Sequence, residues 1–230
     1  MGTEDLSSSP SAILLAYVRT RFPAWLALLL PLLLVLLALR ERIVVPAEFA
    51  AAYALALLLV FELRLWDDLC DREIDQQEHP ERVLCRAASV RSFLGLLFVT
   101  IAINFVLAAL LRPWWSLVAL VAIHLLLAIW YRFREQILPE RIANYHVVLL
   151  KYPVIVWILG ARTAVDRASL PLLYSLAAAY LGLCIYEVAH DASLRKLRGA
   201  RICLAVECLL LAAVGCLAAY SAGWLRFSSP

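Results

Sequence analysis

The sequence predicts an all-α fold, a polytopic transmembrane helix bundle of about seven spans. Three observations predict it. Of 230 residues, 64% are hydrophobic and 17% charged, an apolar share well above the roughly 45–50% of ordinary globular chains. Several apolar runs approach or exceed the ~20 residues that cross a bilayer as a helix. The basic residues lie scattered between those runs, and the net charge is only +3, so nothing points to nucleic acid and the implied surroundings are a lipid bilayer.

Residues 1 to 12, rich in Ser and Pro, read as a disordered tail, and residues 13 to 230 as one transmembrane helical domain. The polar, acidic start is unlike a cleavable signal peptide. Ala12 to Thr20 reads as an amphipathic lead-in, followed by a first span from Phe22 to Leu39. Pro23 sits in its first turn, where proline is tolerated, and Pro31 inside it predicts a kink. Arg40, Glu41 and Arg42 form its far border.

The second span runs from Ala47 to about Trp66, the third from Val90 to Leu111, and the fourth from Trp114 to Trp130. Arg112-Pro113-Trp114-Trp115 is an aromatic connection typical of a membrane interface. A polar loop from Tyr131 to Asn144 precedes a fifth span, Tyr145 to Gly160. The sixth covers Ser169 to about His190, and a polar loop, Asp191 to Arg201, leads to the seventh, Ile202 to Trp224. With the N-terminus in the cytoplasm, fifteen of the 21 Lys and Arg residues fall on that side and six on the other. That bias places the segment after the second span and the loops after the fourth and sixth on the cytoplasmic face.

One stretch carries chemistry. In Phe61 to Arg86, FELRLWDDLCDREIDQQEHPERVLCR, the acids Asp67, Asp71 and Asp75 recur every four residues, with Asp68 beside the first. On a helix the three drift by about 80° and share one face. Like charges four apart repel by roughly 0.2–0.5 kcal/mol per pair, and a membrane border adds desolvation. The cluster therefore requires cations. They come from neighbouring arginines, Arg64 and Arg72, or from a hard divalent ion such as Mg²⁺, which takes carboxylate oxygens and bridges to phosphates.

A second acidic pair, Glu187 and Asp191, ends the sixth span in IYEVAHD, with Tyr186 and His190 adjacent. Ionisable groups at the end of an apolar span mark function, although Glu187 can equally pair with Arg195 or Lys196. Both acidic groups fall on the predicted cytoplasmic face, where they are expected to converge. Lys151, in the opening turns of the fifth span, either meets diphosphate oxygens or snorkels to the interface. Arg82 and Arg86 are either phosphate clamps or inside-face anchors. Asn144, Tyr145 and His146 are weaker pocket candidates. His124 reads as a hydrogen-bonded packing residue. Asn104 and Glu207 are polar groups in apolar runs, without an assigned role. The six cysteines show no paired CxxC spacing, so neither a disulfide framework nor a zinc site is expected.

The segment DDLCDREID, Asp67 to Asp75, resembles the Asn/Asp-Asp-x-x-Asp-x-x-x-Asp signature of the UbiA superfamily of intramembrane prenyltransferases. HPERVL after it, RFP at the start of the first span and IYEVAHD at the end of the sixth are similar to the family as well. The chain departs from that pattern in having seven rather than nine spans, Glu187 in place of the first aspartate of the second motif, and Asp67 where Asn is frequent. The resemblance implies a UbiA-like fold and a Mg²⁺-dependent enzyme. Asp67, Asp68, Asp71, Asp75, Glu187 and Asp191 would hold the ions. Arg72, Arg82, Lys151 and Lys196 would meet the diphosphate of an isoprenyl diphosphate. Trp66, Tyr152, Trp157 and Tyr186 would shelter the allylic cation until a lipophilic or aromatic acceptor attacks it. Two alternatives stay open: a membrane terpene cyclase acting on farnesyl or geranylgeranyl diphosphate, and a non-catalytic cation-binding protein or transporter.

Overall fold

The computed structural model describes residues 10–40, 45–137, 141–161, 169–197 and 199–222. The expected tail up to residue 9, the border residues Glu41 and Arg42, and Glu140, Arg162, Arg167, Arg198 and Trp224 lie outside the described residues. Among the described residues the chain is all-α, with no strand. It divides into two compact units, Met1–Leu33 with Pro46–Leu111, and Leu34–Val45 with Arg112–Pro230.

Among the described residues, five helices are long and apolar enough to cross a membrane: Pro46–Cys70, Arg91–Leu111, Trp114–Arg134, Leu170–His190 and Ala200–Ser221. The two other expected spans are shorter, for identifiable reasons. Helix α2 (Ala24–Leu39) has 16 residues and runs through Pro31. At 1.5 Å per residue that is about 24 Å, less than a ~30 Å hydrocarbon core. The fifth expected span is split at Leu150 into α8 (Arg141–Leu149) and α9 (Lys151–Gly160). Pro153 has no N–H to return to Leu149, and it disfavours helix just before it. Around the break Leu150 N–H donates to Val147 O at 3.2 Å, a three-residue step, before Val154 N–H resumes the four-residue step to Leu150 O at 3.3 Å.

In the first unit, α1 (Pro10–Arg21) packs with α3 (Pro46–Cys70), α5 (Val83–Arg86) and α6 (Arg91–Leu111), and α4 (Arg72–Glu78) packs with α3 and α5. Helix α3 opens with proline in its first turn and Glu48 near its positive end, both favourable there. The core gathers Tyr17, Leu65, Leu84, Ala87, Phe93 and Leu97. Tyr17 meets Phe93 edge-on, with ring centroids 5.3 Å apart. This core lies beside the end of α3 that carries the acids. Further along, Asn104 on α6 donates to Glu62 on α3 at 2.6 Å, both fully buried.

In the second unit, α7 (Trp114–Ile137) continues helical beyond Trp130, the expected end of the fourth span. The residues around its start cap the end of α9. Arg112 Nη1 donates to Leu159 O at 3.1 Å, Trp115 Nε1 to Ala161 O at 2.5 Å, and Ser116 Oγ to Ile158 O at 3.3 Å. Carbonyls at a helix C-terminus lack partners within the helix, and here another helix supplies them. Helix α10 (Leu170–His190) starts at Ser169, whose Oγ accepts from Leu172 N–H at 3.4 Å. The four-residue α11 (Ala192–Arg195) follows. Gly199, at φ 88, then turns the chain into α12 (Ala200–Ser221), so this helix begins two residues before the expected Ile202. The left-handed conformation there favours glycine.

Both units present apolar side chains outward, including Phe98 and Leu110 on α6 and Ile202 and Leu209 on α12. Such faces suit lipid rather than water. Together with the five long apolar helices they fit an integral, multi-pass membrane protein.

Candidate functional site

The acids of the first unit sit where α3 gives way to α4. Asp67 and Asp68 close α3, Asp71 occupies the joint, and Asp75 lies within α4. The backbone bends at Asp71 (φ −91, ψ 1), yet the four-residue hydrogen-bond register passes through it. Asp71 N–H donates to Asp67 O at 2.8 Å, Asp75 N–H to Asp71 O at 2.8 Å, and His79 N–H to Asp75 O at 2.7 Å. Asp67, Asp71 and Asp75 therefore keep the one-turn spacing that the sequence predicts. Asp67 and Asp75 are buried and Asp71 is half-buried. Asp71 makes no side-chain capping bond to α4. Helix α4 stops at Glu78, ahead of His79-Pro80, as expected before a proline.

Asp68 stands apart from the other three. Tyr17 OH donates to its Oδ2 at 2.8 Å, Arg21 Nε donates to the same oxygen at 2.9 Å, and Arg21 Nη2 pairs with Oδ1. Arg64 Nε lies 3.7 Å from Oδ1. Both oxygens of this buried carboxylate thus face cations or a phenol from α1 and α3. Burial raises the Tyr17 phenol far above its usual pKa, and the Asp68 charge adds to that. For Arg21 burial works against the charged form, but the hydrogen bond and charge of Asp68 outweigh it and the pKa is raised. Sequence reasoning missed Tyr17 and Arg21. Their only trace was an aromatic and a basic residue in a lead-in predicted on the same membrane face as the acids.

The arginines divide in a way the sequence did not indicate. Arg82 forms the ion pair with Asp75. Arg72, expected to neutralise acids or meet diphosphate, instead ties backbone together: its Nε donates to Leu84 O at 3.2 Å and its Nη2 to Ala87 O at 3.3 Å. It holds α5 against the start of α4. Arg86 is exposed. Cys85, on α5, has its thiol pKa raised by burial and then by the nearby Asp75 charge.

The remaining predicted residues belong to the second unit. Glu187 and Asp191 are half-buried at the end of α10. Asp191 N–H donates to Glu187 O at 2.8 Å, and Asp191 Oδ1 accepts from Leu194 N–H at 3.4 Å, so this aspartate joins α10 to α11. Tyr186 and His190 stack with centroids 5.2 Å apart. Lys196 is exposed beyond α11. Lys151 opens α9 at the Leu150 break, is 2% exposed, and has its Nζ 5.3 Å from the Tyr152 ring centroid. His124 bonds Leu120 O at 2.6 Å through Nδ1, the packing role expected of it.

Comparison with protein-family models, with curated proteins and with solved structures found no match for the chain.

Proposed function

We propose that this protein is a Mg²⁺-dependent intramembrane prenyltransferase of the UbiA type, releasing diphosphate as it passes an isoprenyl group to a lipophilic or aromatic acceptor. One observation carries the reading: Asp67, Asp71 and Asp75 stand on consecutive turns at the end of a long apolar helix, with the register unbroken through the bend. The donor set fits the ion. All three offer hard carboxylate oxygens, and Mg²⁺ is held through a few carboxylates, waters and substrate phosphates. Asp68 fits less well, because Tyr17 and Arg21 engage both its oxygens. In this reading Asp68 fixes α1 against α3 and leaves ion binding to its neighbours.

Bound Mg²⁺ would neutralise charge on the leaving diphosphate. Arg82 already pairs with Asp75, so a guanidinium stands beside the acids to meet phosphate oxygens bidentately. The bond that breaks joins the allylic carbon to the bridging oxygen. The electron pair leaves with diphosphate, and the cation is then captured by the acceptor, which loses a proton. Apolar surroundings exclude water that would quench the cation. Lys151, Lys196, Glu187 and Asp191 enter on the resemblance, with Lys151 a buried ammonium of the right sign. The N-terminus and the acids take the cytoplasmic side, as the Lys and Arg bias favours.

The test is incubation of the purified full chain with Mg²⁺ and geranyl, farnesyl or geranylgeranyl diphosphate, with and without aromatic acceptors. Diphosphate release with a prenylated acceptor supports the proposal. A hydrocarbon or terpene alcohol formed without acceptor makes the protein a cyclase. No release from any chain length refutes the enzyme reading and favours a cation-binding protein or transporter.

A further inference from the structure

We infer that the second unit contains a transition-metal site, filled by one Zn²⁺ held by His146 of α8, Cys184 of α10 and Glu207 of α12, with Cys203 of α12 as fourth donor. The inference does not rest on the prenyltransferase reading, which uses none of these residues.

One ligand atom each from His146, Cys184 and Glu207 lies within 4.8 Å of the other two. Cys184 Sγ is 3.6 Å from His146 Nδ1, and Cys203 Sγ and Glu207 Oε1 are each 3.6 Å from His146 Nε2. With Zn–S near 2.3 Å and Zn–N or Zn–O near 2.0–2.2 Å, ligand atoms on adjacent corners of a tetrahedron stand about 3.4–3.6 Å apart. Glu207 Oε1 and Cys203 Sγ stand at that edge length from Nε2, and Cys184 Sγ stands at it from Nδ1, on the other nitrogen of the ring. One ion takes one ring nitrogen, so binding requires side-chain rotation that brings Cys184 and Glu207 to a common nitrogen of His146 within this 4.8 Å group.

A second, independent observation points to a ligand. Glu207 is 4% exposed, and its Oε2 is buried without a hydrogen-bond partner among the described residues. A desolvated carboxylate oxygen left unsatisfied is destabilising. Bound metal removes that deficit, because it supplies both charge and a coordination bond. Neighbouring phenols hold the donors in place. Tyr145 OH donates to Glu207 Oε1 at 2.8 Å, and Tyr180 OH lies 3.0 Å from His146 Nδ1. Metal-binding histidines and carboxylates characteristically carry such outer hydrogen bonds.

The donor chemistry selects the ion. Thiolate and imidazole discriminate against Mg²⁺ and Ca²⁺, and a carboxylate in the set disfavours Cu(I). Zn²⁺ accepts all three donor types and a tetrahedral arrangement. Cys184 lies six residues inside the end of α10, and Glu207 seven residues inside the start of α12. Those offsets correspond to about 9 Å and about 10.5 Å along the two helices. The ion would clamp three helical segments within the apolar part of the unit.

The full chain, carrying no polyhistidine tag and purified in detergent from zinc-supplied cells, is analysed for metal by mass spectrometry. About one zinc per chain is expected, falling roughly tenfold in Cys184→Ala and Glu207→Gln and unchanged in Cys216→Ala, an exposed cysteine on α12. Replacement by Co²⁺ is expected to give a thiolate-to-cobalt charge-transfer band. That band tests cysteine ligation in the wild-type chain, whether or not the variants fold. Folded wild-type protein with no zinc, a stoichiometric ion other than zinc, or a cobalt form without the thiolate band overturns the inference.

Discussion

Replacing Arg21 by methionine isolates the interaction that binds α1 to the end of α3. The variant keeps much of the apolar stem and removes two hydrogen bonds, from Nε at 2.9 Å and from Nη2, to a carboxylate that is 5% exposed. Hydrogen bonds to a charged group contribute about 1.5–3 kcal/mol each, and breaking a buried ion pair on one side costs roughly 3–5 kcal/mol. Tyr17 remains on Oδ2 and Arg64 remains 3.7 Å from Oδ1. Arg21 itself is 19% exposed. These remaining partners place the loss at the low end, about 3 kcal/mol. Asp68→Asn removes the charge while keeping the shape. A double-mutant cycle on the two, read from unfolding in detergent, should give a coupling of about 2 kcal/mol, with the double variant more stable than the sum of the single losses implies. Additive losses, with coupling below about 0.5 kcal/mol, would mean that Asp68 is not held by Arg21, and its exclusion from the ion-binding set would lose its basis.

Other outcomes follow from the same geometry. Gly160→Ala builds a Cβ 2.8 Å from Leu172 Cδ1 and 3.0 Å from Ala38 O; overpacking of this kind costs about 1–3 kcal/mol, and a thermal midpoint equal to wild type would contradict the close approach. Arg112→Ala removes a cap from Leu159 O at the end of α9 and should cost roughly 1–3 kcal/mol, seen as faster hydrogen exchange at the last turn of α9 than in wild type. The raised Tyr17 pKa sets a pH dependence: above pH ~10 the unfolded chain releases the phenol proton and the folded chain keeps it, so fewer protons are bound on unfolding and stability falls as pH rises. The stability advantage of wild type over Tyr17→Phe should be full below pH ~10 and shrink above it; an advantage that grows with alkaline pH would reverse the argument.

The helices were readable where one segment alone decides them. Apolar length located α3, α6, α7, α10 and α12, and the four-residue recurrence of Asp67, Asp71 and Asp75 survived even the bend at Asp71. The break at Leu150 also had a local cause, Pro153, although the apolar run around it reads as one continuous span. What local pattern does not hold is pairing across the chain. Tyr17 and Arg21 reach Asp68 over separations of 51 and 47 residues, and only the packing of α1 on the α3 end brings them there. The same reason hid the second unit's cluster: His146 and Cys184 are 38 residues apart, and His146 and Cys203 57 apart. No short motif marks ligands so widely spaced, and cysteines in apolar helices read as small apolar groups.

The most direct measurement compares Mg²⁺-dependent turnover of an isoprenyl diphosphate by the intact chain with that of Asp71→Ala. The variant's rate should drop by about 10²-fold or more, with its thermal midpoint in detergent measured alongside so that loss of an ion ligand is told apart from loss of the fold. Equal rates in the two proteins would contradict the assignment of Asp67, Asp71 and Asp75 as the seat of the chemistry.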